Sequence, residues 1–195
     1  MSIHLPALSG IVLTYLLVFS RVGAMVMLLP AIGEAGVPPM VRLVLALAIS
    51  VALTPTVQSA YPGVAPQTVT GLVVLIAQEV TCGVLVGAMA RIIMSSLQVA
   101  GYLIATQTGL AYAQTLDPTQ GAQGAVLGNF MNILGVTMIF MTNLHHLAIG
   151  AIAGSYRLLP PGGHLPTSDM LQLVVQLTSS SFALGFQLAA PFLVF

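Results

Sequence analysis

Few residues in this sequence could do chemistry, and their spacing narrows what that chemistry is. Of 195 residues, four are cations and four are anions. The cations are Arg21, Arg42, Arg91 and Arg157; the anions are Glu34, Glu79, Asp117 and Asp169. Arg21 in "VFSRVGAMVM", Glu79 in "IAQEVTCG" and Arg91 in "AMARIIMSS" stand deep inside apolar runs. A charge at such depth costs about 2.5–3.5 kcal/mol on insertion scales, so each is expected to be buried against protein or to face water. An Arg21–Glu79 pair is one arrangement the pattern allows, although nothing in the spacing fixes it. Two chemistries stay open: charges paired for packing, or charges lining a water-filled path for ions or protons. His145 and His146 are adjacent, so on a helix they point about 100° apart and cannot form the i, i+4 pair of a zinc helix. No metal site is expected. The single cysteine, Cys82, rules out an intrachain disulfide. The sequence has no G-x-S-x-G elbow, no H-E-x-x-H and no Walker loop. An enzyme is therefore not expected, and no cofactor is implied.

The elements that would position these groups are long and apolar. Only 4 % of residues are charged, against about 25 % in soluble domains. The apolar share is 57 %, and the mean hydropathy is +1.04. That inventory cannot solvate a surface, so the class is an integral membrane protein. Zero net charge gives no electrostatic case for nucleic acid. The apolar runs lie at about 7–29, 41–57, 68–106, 125–158 and 169–195, separated by Pro- and Gly-rich breakers. They predict an all-α membrane bundle of about five long helices, forming one domain over 1–195. The third run would be roughly 58 Å long as one helix, against a bilayer core of about 30 Å. It is expected to break, tilt strongly or project from the membrane, and Ser95, Ser96, Gln98 and Gly101 mark the expected break. Asp169 reads as the N-cap of the last run. That run stops inside an apolar stretch, which predicts a C-terminally truncated fragment with further helices beyond it.

Three glycine pairs have G-x-x-x-G spacing: Gly83/Gly87, Gly124/Gly128 and Gly150/Gly154. Small residues let helix backbones approach closely in lipid, so these six are candidate packing positions. Between the third and fourth runs lies "QTGLAYAQTLDPTQGAQG". Its Gly109, Gly121 and Gly124 flank a polar segment with Asp117 and Pro118, and Leu110, Tyr112 and Leu116 supply apolar tips. On the residues alone, a plain interhelical connector is the simpler reading.

Three stretches carry a resemblance to a known family. "FSRVGAMVMLLPAIGEAGVPPMVRLVLALAIS", "GYLIATQTGLAYAQTLDP" and "TNLHHLAIGAIAGSYRLLPPG" follow in order along the chain. Together they resemble the FliR family of flagellar biosynthetic proteins, which includes the equivalent component of virulence type III secretion systems. The resemblance implies a subunit of the flagellar type III protein export gate in the bacterial inner membrane, within the flagellar basal body. It implies bent helical hairpins and FliP- and FliQ-like partner subunits. FlhB-like and FlhA-like export components, and unfolded flagellar substrate proteins, are further implied partners. The segment 109–124 would then plug the pore, through Gly109, Leu110, Tyr112, Leu116, Asp117, Pro118, Gly121 and Gly124. Glycine-rich backbone can fold into a narrow lumen and move out of it. The alternative is a stand-alone multispanning transporter or ion channel that uses Arg21, Glu79 and Arg91.

Overall fold

A computed structural model describes residues 10–34, 36–61, 68–109, 123–163 and 167–193. Six α-helices account for most of them: α1 Gly10–Leu28, α2 Pro39–Val57, α3 Val69–Gln107, α4 Gln123–Met141, α5 Leu144–Leu158 and α6 Thr167–Leu193. Among the described residues there is no extended strand. Helices α1, α2, α3 and α6 are each long and apolar enough to cross a membrane, and α4 with α5 could make a fifth span.

Local chemistry explains the helix limits. Pro38 and Pro39 open α2, where a missing N–H costs nothing. The Thr68 hydroxyl accepts from the Gly71 N–H at 3.2 Å and caps α3. The run expected as one helix over 125–158 divides at Asn143, whose φ is 58°. Its N–H bonds the Phe140 carbonyl at 3.2 Å, closing α4 with a left-handed residue. Asn tolerates that conformation and β-branched residues do not. Asn143→Val should therefore destabilise the α4–α5 junction by about 1–2 kcal/mol, whereas Asn143→Gly should be nearly neutral. Thermal unfolding of the detergent-solubilised variants would measure the difference.

Two expectations need correction. The third run does not break at Ser95, Ser96, Gln98 and Gly101, because α3 is continuous over 39 residues. The Ser95 and Ser96 hydroxyls donate to the carbonyls of Ile92 and Ile93, at 2.6 and 2.7 Å, so their own helix satisfies them. Asp169 is not the N-cap. The helix already begins at Thr167, which puts Asp169 inside the first turn, where its charge still suits the positive end of the dipole.

The chain divides into two compact units. The first takes in Met1–Ala88 and His145–Leu165, and the second Met89–Leu144 and Pro166–Phe195. In the first, α1 buries one stripe: Leu13, Leu17, Val18, Arg21, Val22, Met25 and Val26. Helix α2 adds the small residues Ala46, Ser50 and Thr54, four apart. From α3, Gly83 and Gly87 lie directly on α1. A Cβ on Gly83 would stand 2.8 Å from the Ala24 Cβ and closer still to the Arg21 carbonyl oxygen. One on Gly87 would stand 2.7 Å from the Leu28 Cβ.

In the second unit α3 is again the element others pack on. A Cβ on Gly101 would fall 2.7 Å from the Cα of Gly128 in α4. Gly135 of α4 sits against Leu97 and Met94, and Gly185 of α6 against Val99 and the Ser96 carbonyl. Gly101, Gly135 and Gly185 belong to no G-x-x-x-G pair. Conversely, Gly150 and Gly154 of α5 meet nothing within 4 Å, so they pack no helix of this chain among the described residues. Gly124 lies in the first turn of α4.

Candidate functional site: a buried arginine–glutamate cluster

Arg21 and Glu79 are each 1 % exposed, on α1 and α3 of the first unit. They meet in a two-pronged ion pair. Arg21 Nε donates to Glu79 Oε2 at 2.6 Å, and Nη2 donates to Oε1 at 3.1 Å. That geometry matches the guanidinium fork to both carboxylate oxygens. The remaining Nη1 donates to the backbone carbonyls of Ser155 at 3.3 Å and Leu159 at 2.9 Å. These carbonyls close the C-terminal end of α5, where a cation is favoured by the helix dipole and by the unpaired acceptors. The guanidinium carbon also lies 4.2 Å from the centroid of the Tyr156 ring, a cation–π distance. One side chain thus ties together α1, α3 and the end of α5.

The local sequence accounts for this convergence. Arg21 falls on the same stripe of α1 as Leu17, Val18 and Met25, so burying that stripe buries the charge with it. Glu79 precedes Gly83 by four residues, and Gly83 brings α3 against the Arg21 backbone. The Tyr61 and Tyr156 rings meet at the edge of the pair, tilted 58° to each other with centroids 6.3 Å apart. Their buried hydroxyls make no hydrogen bond of ordinary geometry among the described residues. Burial first, and the nearby Glu79 carboxylate second, push the Tyr61 hydroxyl well above its usual range, so it stays protonated. Gln78, next to Glu79, donates to the Gly163 carbonyl and fixes the turn after α5.

Other expected site residues lie elsewhere. Arg91 was expected to be buried; it is exposed, because no described element covers that face of α3. Arg42 binds the carbonyls of Glu34, at 2.5 Å, and Val37, at 2.8 Å, holding the connection between α1 and α2. Gly109 ends α3 with φ +77° and open space around it. Its N–H bonds the Thr106 carbonyl at 3.3 Å. Leu110, Tyr112, Leu116, Asp117, Pro118 and Gly121 lie outside the described residues. No group of three or more His, Cys, Asp or Glu able to hold a metal occurs among the described residues. Sequence reasoning missed Tyr61 and Tyr156, which nothing in their flanking residues links to Arg21.

Apolar helices with many exposed aliphatic and aromatic side chains, and one sealed ionic cluster, define a protein of the multispanning membrane class. The chain belongs to family 1 of the bacterial export proteins, whose description matches residues 12–195. It is 42 % identical over 179 residues to the flagellar biosynthetic protein FliR of Caulobacter vibrioides, covering 92 % of this chain and 71 % of that one. It is 26 % identical to the FliR protein of Bacillus subtilis over 180 residues, covering 91 % and 68 %. The Yop proteins translocation protein T of Yersinia pestis is 27 % identical over 192 residues, covering 93 % and 70 %. Two of these relatives are named for flagellar biosynthesis and the third for the translocation of Yop proteins.

Proposed function

We propose that this protein is a subunit of the flagellar type III export gate in the bacterial inner membrane. It acts as one export-gate domain that forms, with FliP- and FliQ-like subunits, a pore for unfolded substrate proteins. The observation that carries the reading is the match over 12–195 to an export family, joined to 42 % identity with a flagellar biosynthetic protein. The exposed apolar surface supports it. Leu158, Met141, Leu147 and Met40 are each more than 70 % exposed, as suits helices that meet other helices or lipid. FlhB-like and FlhA-like export components are the further partners this reading names.

The segment 109–124 plugs the pore. Gly109 turns the chain out of α3 in a left-handed conformation and Gln123 begins α4, so the segment joins two helices assigned to one unit. A hole wide enough for an unfolded chain would dissipate the ion gradient unless it were sealed at rest. Deleting 110–116 should let small ions cross the membrane while the assembly still forms. Conductance or dye uptake in cells expressing the full set of export proteins reads the leak, and the masses of co-purifying chains read the assembly. A tight membrane with normal export would reduce the segment to a connector. A chain that purifies alone, and without which export continues, would remove the gate reading itself.

The stand-alone transporter loses its motive. Arg21 spends its donors on Glu79 and on the carbonyls of α5, and the pair is sealed inside the first unit. Such a pair serves packing better than a proton path.

A further inference from the structure

One face of α3 changes character along its length. At 100° per residue, Arg91, Ser95, Gln98, Tyr102 and Thr106 fall within an arc of about 80°. Arg91 and Gln98 are exposed, and Tyr102 is 61 % exposed. Towards the N-terminus the same arc carries Thr70 in the first turn, then Val73, Ala77, Val80, Val84 and Ala88, with the three valines at 59 %, 37 % and 43 % exposure. So one line down one helix runs from valine to polar side chains, and the change falls at Arg91. The opposite side of the polar half is buried: Ser96 and Ile104 are 5 % and 7 % exposed, and Ala100 is fully covered. Helices α4 and α6 flank it through Gly101 and Gly185 and leave the polar arc uncovered among the described residues.

The hydroxyls of Ser95 and Thr106 bond carbonyls of their own helix, at 2.6 and 2.7 Å, and would be tolerated in lipid. Arg91, Gln98 and Tyr102 are different. No ion pair or hydrogen bond engages the Arg91 guanidinium, the Gln98 amide or the Tyr102 hydroxyl among the described residues. Their spacing of seven and four residues puts them in one row, spanning about 16 Å of helix. A hydrocarbon surroundings would leave every one of those donors and acceptors unmet. The valine half of the same arc has no such need.

Resting on the gate reading above, we infer that the Arg91–Gln98–Tyr102 row of α3 lines the water-filled conduit and touches the extended polypeptide passing through it. The row ends at Tyr102, five residues before the end of α3 at Gln107. Its chemistry suits a substrate of varied sequence. An amide and a phenol can each donate to or accept from any peptide group, and they carry no fixed charge. Arg91, at the far end, adds one cation that acidic substrate side chains would meet first.

Single cysteines at positions 84, 98 and 102, in a chain whose buried Cys82 is replaced by alanine, test this in cells carrying the complete export apparatus. A charged, membrane-impermeant methanethiosulfonate reagent is the probe. Gln98→Cys and Tyr102→Cys should react at least tenfold faster than Val84→Cys. An export substrate fused to a domain that cannot unfold, stalled in the gate, should slow both. Equal, slow rates at all three positions in the assembled gate would overturn the inference. If 98 and 102 react in the isolated chain and not in the gate, a partner helix covers the row, which overturns it equally. Fast labelling that a stalled substrate leaves unchanged would overturn the polypeptide contact. Co-purification of partner chains, scored in the same cells, shows whether the gate reading still stands when the row fails.

Discussion

Replacing Arg21 with alanine should destabilise the first unit by about 3–5 kcal/mol, the range for removing one partner of a buried ion pair. The loss has several parts. Glu79, 1 % exposed in the intact protein, would lose its cation, and its carboxyl would have to take up a proton or stay buried and unpaired. The Leu159 carbonyl would lose its Arg21 donor, Ser155 would keep only the bond from the Leu159 N–H, and Tyr156 would lose the cation over its ring. Because Arg21 alone reaches α1, α3 and the end of α5, the single change should loosen α5 as well as break the pair. The double variant Arg21→Met/Glu79→Leu should recover much of the loss, since two apolar side chains of similar volume leave no buried charge behind. It should not recover all of it, because the Leu159 carbonyl loses the Arg21 donor while Ser155 keeps only its bond from the Leu159 N–H. Unfolding of the detergent-solubilised single and double variants gives the coupling energy. Additivity of the two single changes would mean that the pair carries no interaction energy in solution.

The second large effect is expected at Gly83. A side chain there would enter the Arg21 carbonyl and the Ala24 Cβ, and backbone cannot rotate aside as a long side chain can. Overpacking of this kind costs about 1–3 kcal/mol, and more when backbone must shift. Gly83→Leu should therefore push α3 off α1 and weaken the Arg21–Glu79 pair one turn away. Gly150→Leu makes the contrast. Nothing lies within 4 Å of that position, so the chain's own stability should not fall, and helix propensity should raise it by about 0.5–1 kcal/mol. If α5 meets a partner subunit there, recovery of the assembled gate should fall with the chain itself intact. Unfolding midpoints compared with yields of co-purified complex separate the two effects. Equal unfolding of Gly83→Leu and the unaltered chain would show that α1 and α3 do not pack as described.

The two glycines show how far sequence spacing can be taken. Gly83/Gly87 and Gly150/Gly154 have the same G-x-x-x-G pattern. One pair lies on a neighbouring backbone and the other on open space. Gly101, Gly135 and Gly185 make close contacts without belonging to such a pair themselves, and Gly101 with Gly135 holds α3 and α4 together over two turns.

The sequence by itself determined the class, the helices and the cost of the deep charges. Four cations and four anions in 195 residues leave no means of solvating a surface. Proline and glycine clusters end helices wherever they occur, since they act on the backbone alone. Burial of Arg21 and Glu79 was also legible, because an ion so far inside an apolar run must find protein or water. Tertiary structure alone decided what each charge met. Arg21 finds carbonyls 134 and 138 residues away, a choice no local pattern encodes. Arg91, in an equally apolar run, stays exposed. Asn143 divides the fourth apolar run through one left-handed residue. The physical reason is common to all three. In a water-soluble helix, the apolar face marks the core. In a helix made for lipid and for other helices, every face is apolar, so hydropathy marks the helix but cannot say which side is packed.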